Sequence, residues 1–230
     1  MNKKIIVIHS GGMDSSLCLA LAMQEFDKQE ILSLSFNYHQ RHSPELEQSK
    51  KICNDWSIDH GVIDLSCLST ITTNALIDPT IPIEEGKHNL PPNTLVVGRN
   101  GLMARLGAIY GQNLGAKIIS MGVMGLEGSH SGYRDCSRSY MDKMEDILRL
   151  DLDDAAFTIR TPLVDMNKKE TMALADSLGI LDYLWENTIT CYEGLGREGC
   201  QKCPACKLRN EGLKNYLESK ISNHRSTEII

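Results

Sequence analysis

An α/β fold with a doubly wound parallel sheet is predicted by three features of the sequence. The chain opens on a continuous apolar run, Lys4 to His9, cut off by Ser10-Gly11-Gly12 and followed by helical spacing of apolar residues. Apolar runs and helical segments then alternate along most of its length, as strand–helix–strand units do. The polar loops rich in glycine begin just after the strands, where open parallel sheets bind ligands.

The elements follow in order. Lys4–His9 (KIIVIH) has no polar alternation and reads as a strand buried on both faces. Residues 14–26 form a helix, 31–36 a second strand, 45–56 a second helix and 61–65 a weaker third strand. Residues 66–92 are polar, contain prolines and lack a period, which predicts a long excursion acting as a flap over a site. A helix over 99–113, a strand over 117–121 and a glycine-rich loop over 122–137 come next. A helix over 139–150, a short strand over 157–160 and a helix over 167–178 complete the regular part. After a cysteine cluster, a final helix runs from Lys207 to about Leu217, and the polar end from Ser219 frays. Domain boundaries are expected at 1–185 for the sheet domain, 186–219 for the cysteine knuckle with its helix, and 220–230 for a tail.

The chain has 230 residues with 41% hydrophobic and 23% charged, ordinary for a globular domain. A net charge of -6 gives no global attraction for a polyanion, so direct nucleic-acid binding is disfavoured. The short apolar run of MNKKIIVIHSGG, followed by glycines, does not read as a signal peptide, and no apolar stretch reaches the roughly 18 residues that span a bilayer. A cytoplasmic protein without a membrane partner is expected. In that reducing setting, eight cysteines argue for metal binding, catalysis or packing before disulfides. Cys18, Cys53 and Cys67 are expected as buried hydrophobes.

Ser10-Gly11-Gly12-Met13-Asp14-Ser15-Ser16 joins the first strand to the first helix. Glycines admit an anion close to the backbone, and a helix N-terminus offers free N–H groups at its positive end. Ser10, Ser15 and Ser16 add hydroxyls. Asp14 would repel a bare phosphate, which suits a Mg²⁺ ligand beside pyrophosphate. The string is neither a Walker A loop nor a dinucleotide fingerprint. Downstream, Cys191, Cys200, Cys203 and Cys206 are spaced C-x8-C-x2-C-x2-C. Four thiolates so placed can close a tetrahedron around one structural zinc ion, and the same run also occurs around iron–sulfur clusters.

The loop resembles that of the PP-loop ATP-pyrophosphatases, which have the adenine nucleotide alpha hydrolase-like fold, release pyrophosphate and adenylate their substrates. Further strings narrow the resemblance: Tyr38-His39-Gln40-Arg41-His42, Gly98-Arg99-Asn100, Ser131-Gly132-Tyr133-Arg134-Asp135-Cys136, and Thr190-Cys191-Tyr192 through Cys206-x-Leu208-Arg209. Together with the cysteine cluster, they are similar to the 7-cyano-7-deazaguanine (preQ0) synthase family over nearly the whole chain. The resemblance implies an ATP-dependent carbon–nitrogen ligase of queuosine biosynthesis. Its expected partners are ATP with Mg²⁺, a 7-deazaguanine carboxylate, ammonia and a second copy of the chain as homodimer.

Roles carried over by position are these. Ser10, Gly11, Gly12, Asp14, Ser15, Ser16, Arg41 and His42 bind ATP. Asp14, Lys168 and Arg99 are catalytic. Tyr38, Gln40, Asn100, Tyr133 and Asp135 bind the base, with Asp135 accepting from its guanine-like edge. The chain departs from the family pattern at His39, Val97, Arg134 and Ser137 and in a longer loop from Gly122 to Ser131. Those departures sustain an alternative: a diverged relative, as in bacterial antiviral defence, that joins the same carboxylate to another amine or a protein acceptor and stops at an amide.

Overall fold

The computed structural model describes residues 2–38, 44–78, 80–84, 92–125 and 132–227. Five parallel strands form one sheet in the order β3-β2-β1-β4-β5. They are β1 (Ile5–Ile8), β2 (Ile31–Asn37), β3 (Asp59–Asp64), β4 (Ile118–Met121) and β5 (Thr158–Arg160). Ile5 pairs with both Ile31 and Ile118, so the first strand is central. The chain winds outward through β2 to β3, then crosses back to lay β4 against the other side of β1. That reversal makes a crevice beyond the C-terminal ends of β1 and β4.

Side chains of the central strand alternate between two cores. Ile6 and Ile8 face one side, packed with Ala104 and Ala108 of α4 (Arg99–Gln112) and Met141 and Leu148 of α5 (Arg138–Leu152). Ile5 and Val7 face the other, against Leu17 of α1 (Met13–Glu25), Ile52 of α2 (Pro44–Trp56) and Met172 of α6 (Lys168–Ser177). Each fully buried leucine or isoleucine contributes about 2 kcal/mol relative to exposure. The expected doubly wound parallel sheet is therefore present, covered by helices on both faces.

Several elements differ from the sequence reading. β3 starts two polar residues earlier, at Asp59, because an edge strand with one paired side tolerates polar positions. The stretch after it is anchored: α3 (Leu68–Ile71) forms, and Ala75, Leu76 and Ile77 are buried. Cys18 and Cys53 are buried as expected, but Cys67 is exposed at the turn before α3. A seven-residue helix, α7 (Leu181–Asn187), follows Gly179; it is too short for its period to stand out. The last helix, α8 (Pro204–Thr227), begins earlier than expected and continues well past Leu217. Its Gly212 permits that course, since a Cβ there would stand 2.4 Å from Lys168 Cβ.

Candidate active site

The phosphate loop lies at the crevice. Gly11 has φ +83°, and a Cβ on it would stand 2.3 Å from the Glu45 carbonyl oxygen, so only glycine lets the loop pass α2. Gly12 caps α1 in an extended conformation without a side chain. The early N–H groups of α1 thus keep an unobstructed approach for an anion. Ser15 Oγ accepts from Ser10 N–H at 3.1 Å and lies 3.2 Å from Ser10 Oγ, which fixes both hydroxyls at the mouth. Ser16 stands behind the loop: its hydroxyl donates to the Gly12 carbonyl at 2.8 Å and lies 3.0 Å from His9 Nε2.

Asp14 and Lys168 meet here. The Lys168 ammonium reaches both Asp14 carboxylate oxygens at 2.5 Å. Lys168 opens α6, where Asn167 and Glu170 form a reciprocal capping box, and only 5% of it is exposed. A cation and a carboxylate therefore stand side by side next to an anion-binding loop. Each lines a cavity of about 400 Å³ that opens over the strand ends.

The far wall of that cavity is aromatic and basic. Arg99 starts α4 and donates to Tyr38 Oη at 3.2 Å, with its guanidinium 5.6 Å from the Tyr38 ring centroid. Burial alone would lower the Arg99 pKa, but Tyr38, Tyr133, Tyr192 and Asp135 raise it, so it stays a cation. Tyr133 bonds Thr94 Oγ1, and both line the cavity with Asn100 and Tyr192. Asn100 also donates to Cys136 Sγ at 3.3 Å. Asp135 is buried just behind this wall. Its Oδ2 accepts from the Asn100 backbone N–H at 3.0 Å, satisfying a free donor in the first turn of α4. The structure thus brings Ser10, Asp14, Ser15, Tyr38, Arg99, Asn100, Tyr133 and Lys168 to one cavity and seats Asp135 at a helix start. Gln40, Arg41 and His42 lie outside the described residues.

Three cavity or near-cavity groups were given no role by the sequence reading. Glu45 lines the cavity; burial pushes its carboxyl up to about 8, with nearby Arg99 opposing the rise. Tyr192 is raised well above the usual phenol value by burial and by Tyr133 beside it. Arg209 is wholly buried, stacked 4.6 Å from the Trp185 ring centroid, with one N–H reaching Thr190 Oγ1 at 3.5 Å. Its Nε and Nη2 have no hydrogen-bond partner among the described residues. Burial lowers its pKa, and the charges of Cys206, Cys191 and Asp14 only partly oppose that fall, which sets a cation between the knuckle and the loop. Its place in the Cys206-x-Leu208-Arg209 string was the available hint.

Cys191, Cys200, Cys203 and Cys206 converge, with all four sulfurs within 4.8 Å of one another. The Cys200–Cys206 sulfur separation is 4.0 Å, against about 3.8 Å for the edge of a zinc–sulfur tetrahedron. Cys191 Sγ accepts backbone N–H groups of Glu193 and Cys200, at 3.3 and 3.4 Å, and Cys200 Sγ accepts that of Cys203 at 3.3 Å. Such bonds favour thiolate. Burial raises the Cys200 pKa, but the backbone donors of Cys203 and Lys202 together with the Cys191 and Cys203 side chains outweigh it and bring the thiol to about 7, whereas burial raises Cys203 and Cys206. Gly199, at φ +64°, is required beside them, because a Cβ would stand 2.4 Å from Cys206 Sγ. The cluster can hold a metal ion. It is tied to the phosphate loop by Ile189 N–H, which donates to the Gly11 carbonyl at 3.1 Å.

Solved structures with the same fold include an NH3-dependent NAD synthetase from Campylobacter jejuni, with a TM-score of 0.51 and 17% identity over 80% of this chain and 67% of that one. A 4-thiouridine synthetase, solved with RNA and bound ATP, gives a TM-score of 0.50 and 14% identity over 94% of this chain and 53% of that one. At such identities the likeness concerns the fold alone. Sequence relatives are far closer: proteins from two strains of Staphylococcus epidermidis, each named 7-cyano-7-deazaguanine synthase, are 43% identical over 221 residues, 96% of either chain. The model of the family described as queuosine biosynthesis protein QueC matches residues 4–217, a span that runs from the central strand through the phosphate loop, the aromatic wall and the four cysteines. With sheet, loop and knuckle all inside that span, the chain belongs to the QueC family.

Proposed function

We propose that this chain is a 7-cyano-7-deazaguanine synthase, an ATP-dependent carbon–nitrogen ligase that converts 7-carboxy-7-deazaguanine and ammonia into the nitrile preQ0. The observation that carries this reading is 43% identity over 96% of both chains, with the phosphate loop intact at the crevice. No observation favours the diverged, amide-forming alternative over it.

The chemistry asks mainly for positioning and charge neutralisation. A carboxylate oxygen attacks the α-phosphorus of ATP and displaces pyrophosphate, giving an acyl-adenylate. Ammonia attacks the acyl carbon; AMP leaves with that oxygen, and the nitrogen loses a proton. A second ATP adenylates the amide oxygen, and loss of AMP and the remaining N–H protons leaves the nitrile. In this reading the start of α1, with Ser10 and Ser15, receives the phosphates, and Lys168 neutralises the departing pyrophosphate. Asp14 is the hard oxygen ligand suited to Mg²⁺, which when bound offsets phosphate charge. Arg99 grips the substrate carboxylate, while Tyr38, Asn100 and Tyr133 border the base. Glu45, titrating near 8, suits proton uptake from the incoming ammonium. Gln40, Arg41 and His42 keep their proposed roles beside ATP and base.

We assign a structural zinc ion to the four cysteines, whose all-thiolate donor set and N–H···S bonds fit it. The catalytic unit then spans 1–185 with its flap near 66–92, the zinc unit 186–219, and the tail 220–230. A homodimer in the cytoplasm remains part of this reading.

Purified protein incubated with 7-carboxy-7-deazaguanine, ATP and ammonium tests it by mass spectrometry. The expected products are preQ0, AMP and pyrophosphate, with the amide as a transient. ADP with orthophosphate, or an amide or conjugate as the end product, would overturn it.

A further inference from the structure

A second group of metal-ligating side chains converges beneath the phosphate loop. His9 follows β1, Cys53 lies on α2, and His60 lies on β3. Cys53 Sγ stands 3.6 Å from His9 Nδ1 and 3.7 Å from His60 Nδ1, and that sulfur and one ring nitrogen of each histidine lie within 4.8 Å of one another. Around tetrahedral zinc, with Zn–S about 2.3 Å and Zn–N about 2.0–2.1 Å, a sulfur–nitrogen edge is about 3.6 Å and a nitrogen–nitrogen edge about 3.4 Å. Both sulfur–nitrogen separations already match. The two nitrogens need to close by at most about 1.4 Å.

The hydrogen bonds set His9 for this role. Ser16 Oγ donates to the Gly12 carbonyl at 2.8 Å, so it is an acceptor toward His9 Nε2 at 3.0 Å. His9 therefore carries its proton on Nε2 and turns the Nδ1 lone pair toward Cys53 and His60. Anchoring the far N–H of a ligating imidazole is how protein metal sites fix its tautomer. Ser33 Oγ, 2.9 Å from His9 Nδ1 and 3.1 Å from His60 Nδ1, adds an oxygen at the same point. His9 and Cys53 are each 1% exposed. His60 Nε2, the other nitrogen of that ring, is buried without a partner among the described residues, and an ion on the two Nδ1 atoms would replace their bonds to Ser33 Oγ.

We propose that His9, Cys53 and His60 form a second metal site, separate from the four-cysteine cluster, for a zinc-like divalent cation. Two imidazoles and one thiolate are a borderline-soft donor set that suits zinc. On binding, the Cys53 thiol exchanges its proton for the metal and releases it to solvent. The ion would bind β1, α2 and β3 to one another directly under the loop.

The test uses the full chain, stripped with a chelator, reloaded with excess zinc and dialysed. Elemental analysis should find a second zinc equivalent, lost in both Cys53→Ser and His60→Ala. X-ray absorption at the zinc edge of the unsubstituted protein should show imidazole scattering beside sulfur, so the result does not depend on the variants folding. A single equivalent with an all-sulfur shell overturns the proposal. So does a second equivalent that survives both substitutions or shows no imidazole.

Discussion

Asp14 and Lys168 are 154 positions apart, yet they form the most intimate ion pair of the cavity, with the ammonium on both carboxylate oxygens. Replacing Asp14 with alanine leaves a nearly buried cation without its partner. Breaking a buried pair costs about 3 kcal/mol, and less here because a quarter of the Asp14 side chain is exposed. Asp14→Ala should therefore abolish AMP release and lower the denaturation midpoint, whereas Asp14→Ala/Lys168→Ala should recover part of the stability without activity. Equal midpoints for wild type and single variant would show that the pair has no structural weight. Glu45 allows a pH test. Its folded carboxyl titrates near 8 against an ordinary 4.5, so the folded state holds the proton more tightly and loses stability as pH rises between those values. Glu45→Gln removes that loss. Its stability advantage over wild type should grow from pH 5 to pH 8 and then level off, measured by urea unfolding; a constant difference would place Glu45 in an ordinary solvated setting.

At the level of elements, the start of α4 depends on a residue from another loop. Gly98 precedes it in the left-handed region and provides no side-chain cap, and Asp135 supplies the missing acceptor to Asn100 N–H. Asp135→Ala should cost about 1–2 kcal/mol, in the range of a lost helix cap. Faster hydrogen exchange at the Asn100 amide, compared with mid-helix α4 amides, would locate that loss, and unchanged exchange there would count against it. Asp135→Asn retains an acceptor and should fold nearly as well as wild type. The expectation that Asp135 reads the base arose from its string of neighbours. Sequence order cannot say whether a carboxylate in such a loop points to a ligand or back to a helix. Helix α7 and the length of α8 were missed by the sequence reading. Their residues carry little periodic signal, and packing holds them: α7 buries Leu181 and Leu184, and α8 places Leu213 and Tyr216 on the second core.

For the molecule as a whole, the four-cysteine cluster and the loop before α1 form one mechanical unit. Ile189 N–H holds the Gly11 carbonyl, Gln48 bonds the Asn187 carbonyl, and the segment between them leads straight into Cys191. Cys203→Ala, or a chelator that strips the zinc proposed for the four cysteines, should thus lower thermal stability and also loosen Gly11 and its neighbours in hydrogen-exchange measurements. Confinement of the change to residues beyond 188 would show that knuckle and loop are independent. Much of this molecule is written locally. The run KIIVIH, the Gly-Gly turn, the helical spacing after it and the cysteine intervals each depend on residues a few positions apart. Local sterics and periodicity were therefore enough to give the parallel sheet, the phosphate loop and the four-cysteine cluster. The partners within the site were not local. Lys168 with Asp14, Glu45 against Arg99, Asp135 on Asn100 and the His9–Cys53–His60 group join segments dozens of residues apart. Only the winding of the sheet and the packing of its helices decide which of those side chains share a low-dielectric space. Their charges, protonation and available ligands follow from that proximity, and no neighbouring residue in the sequence encodes it.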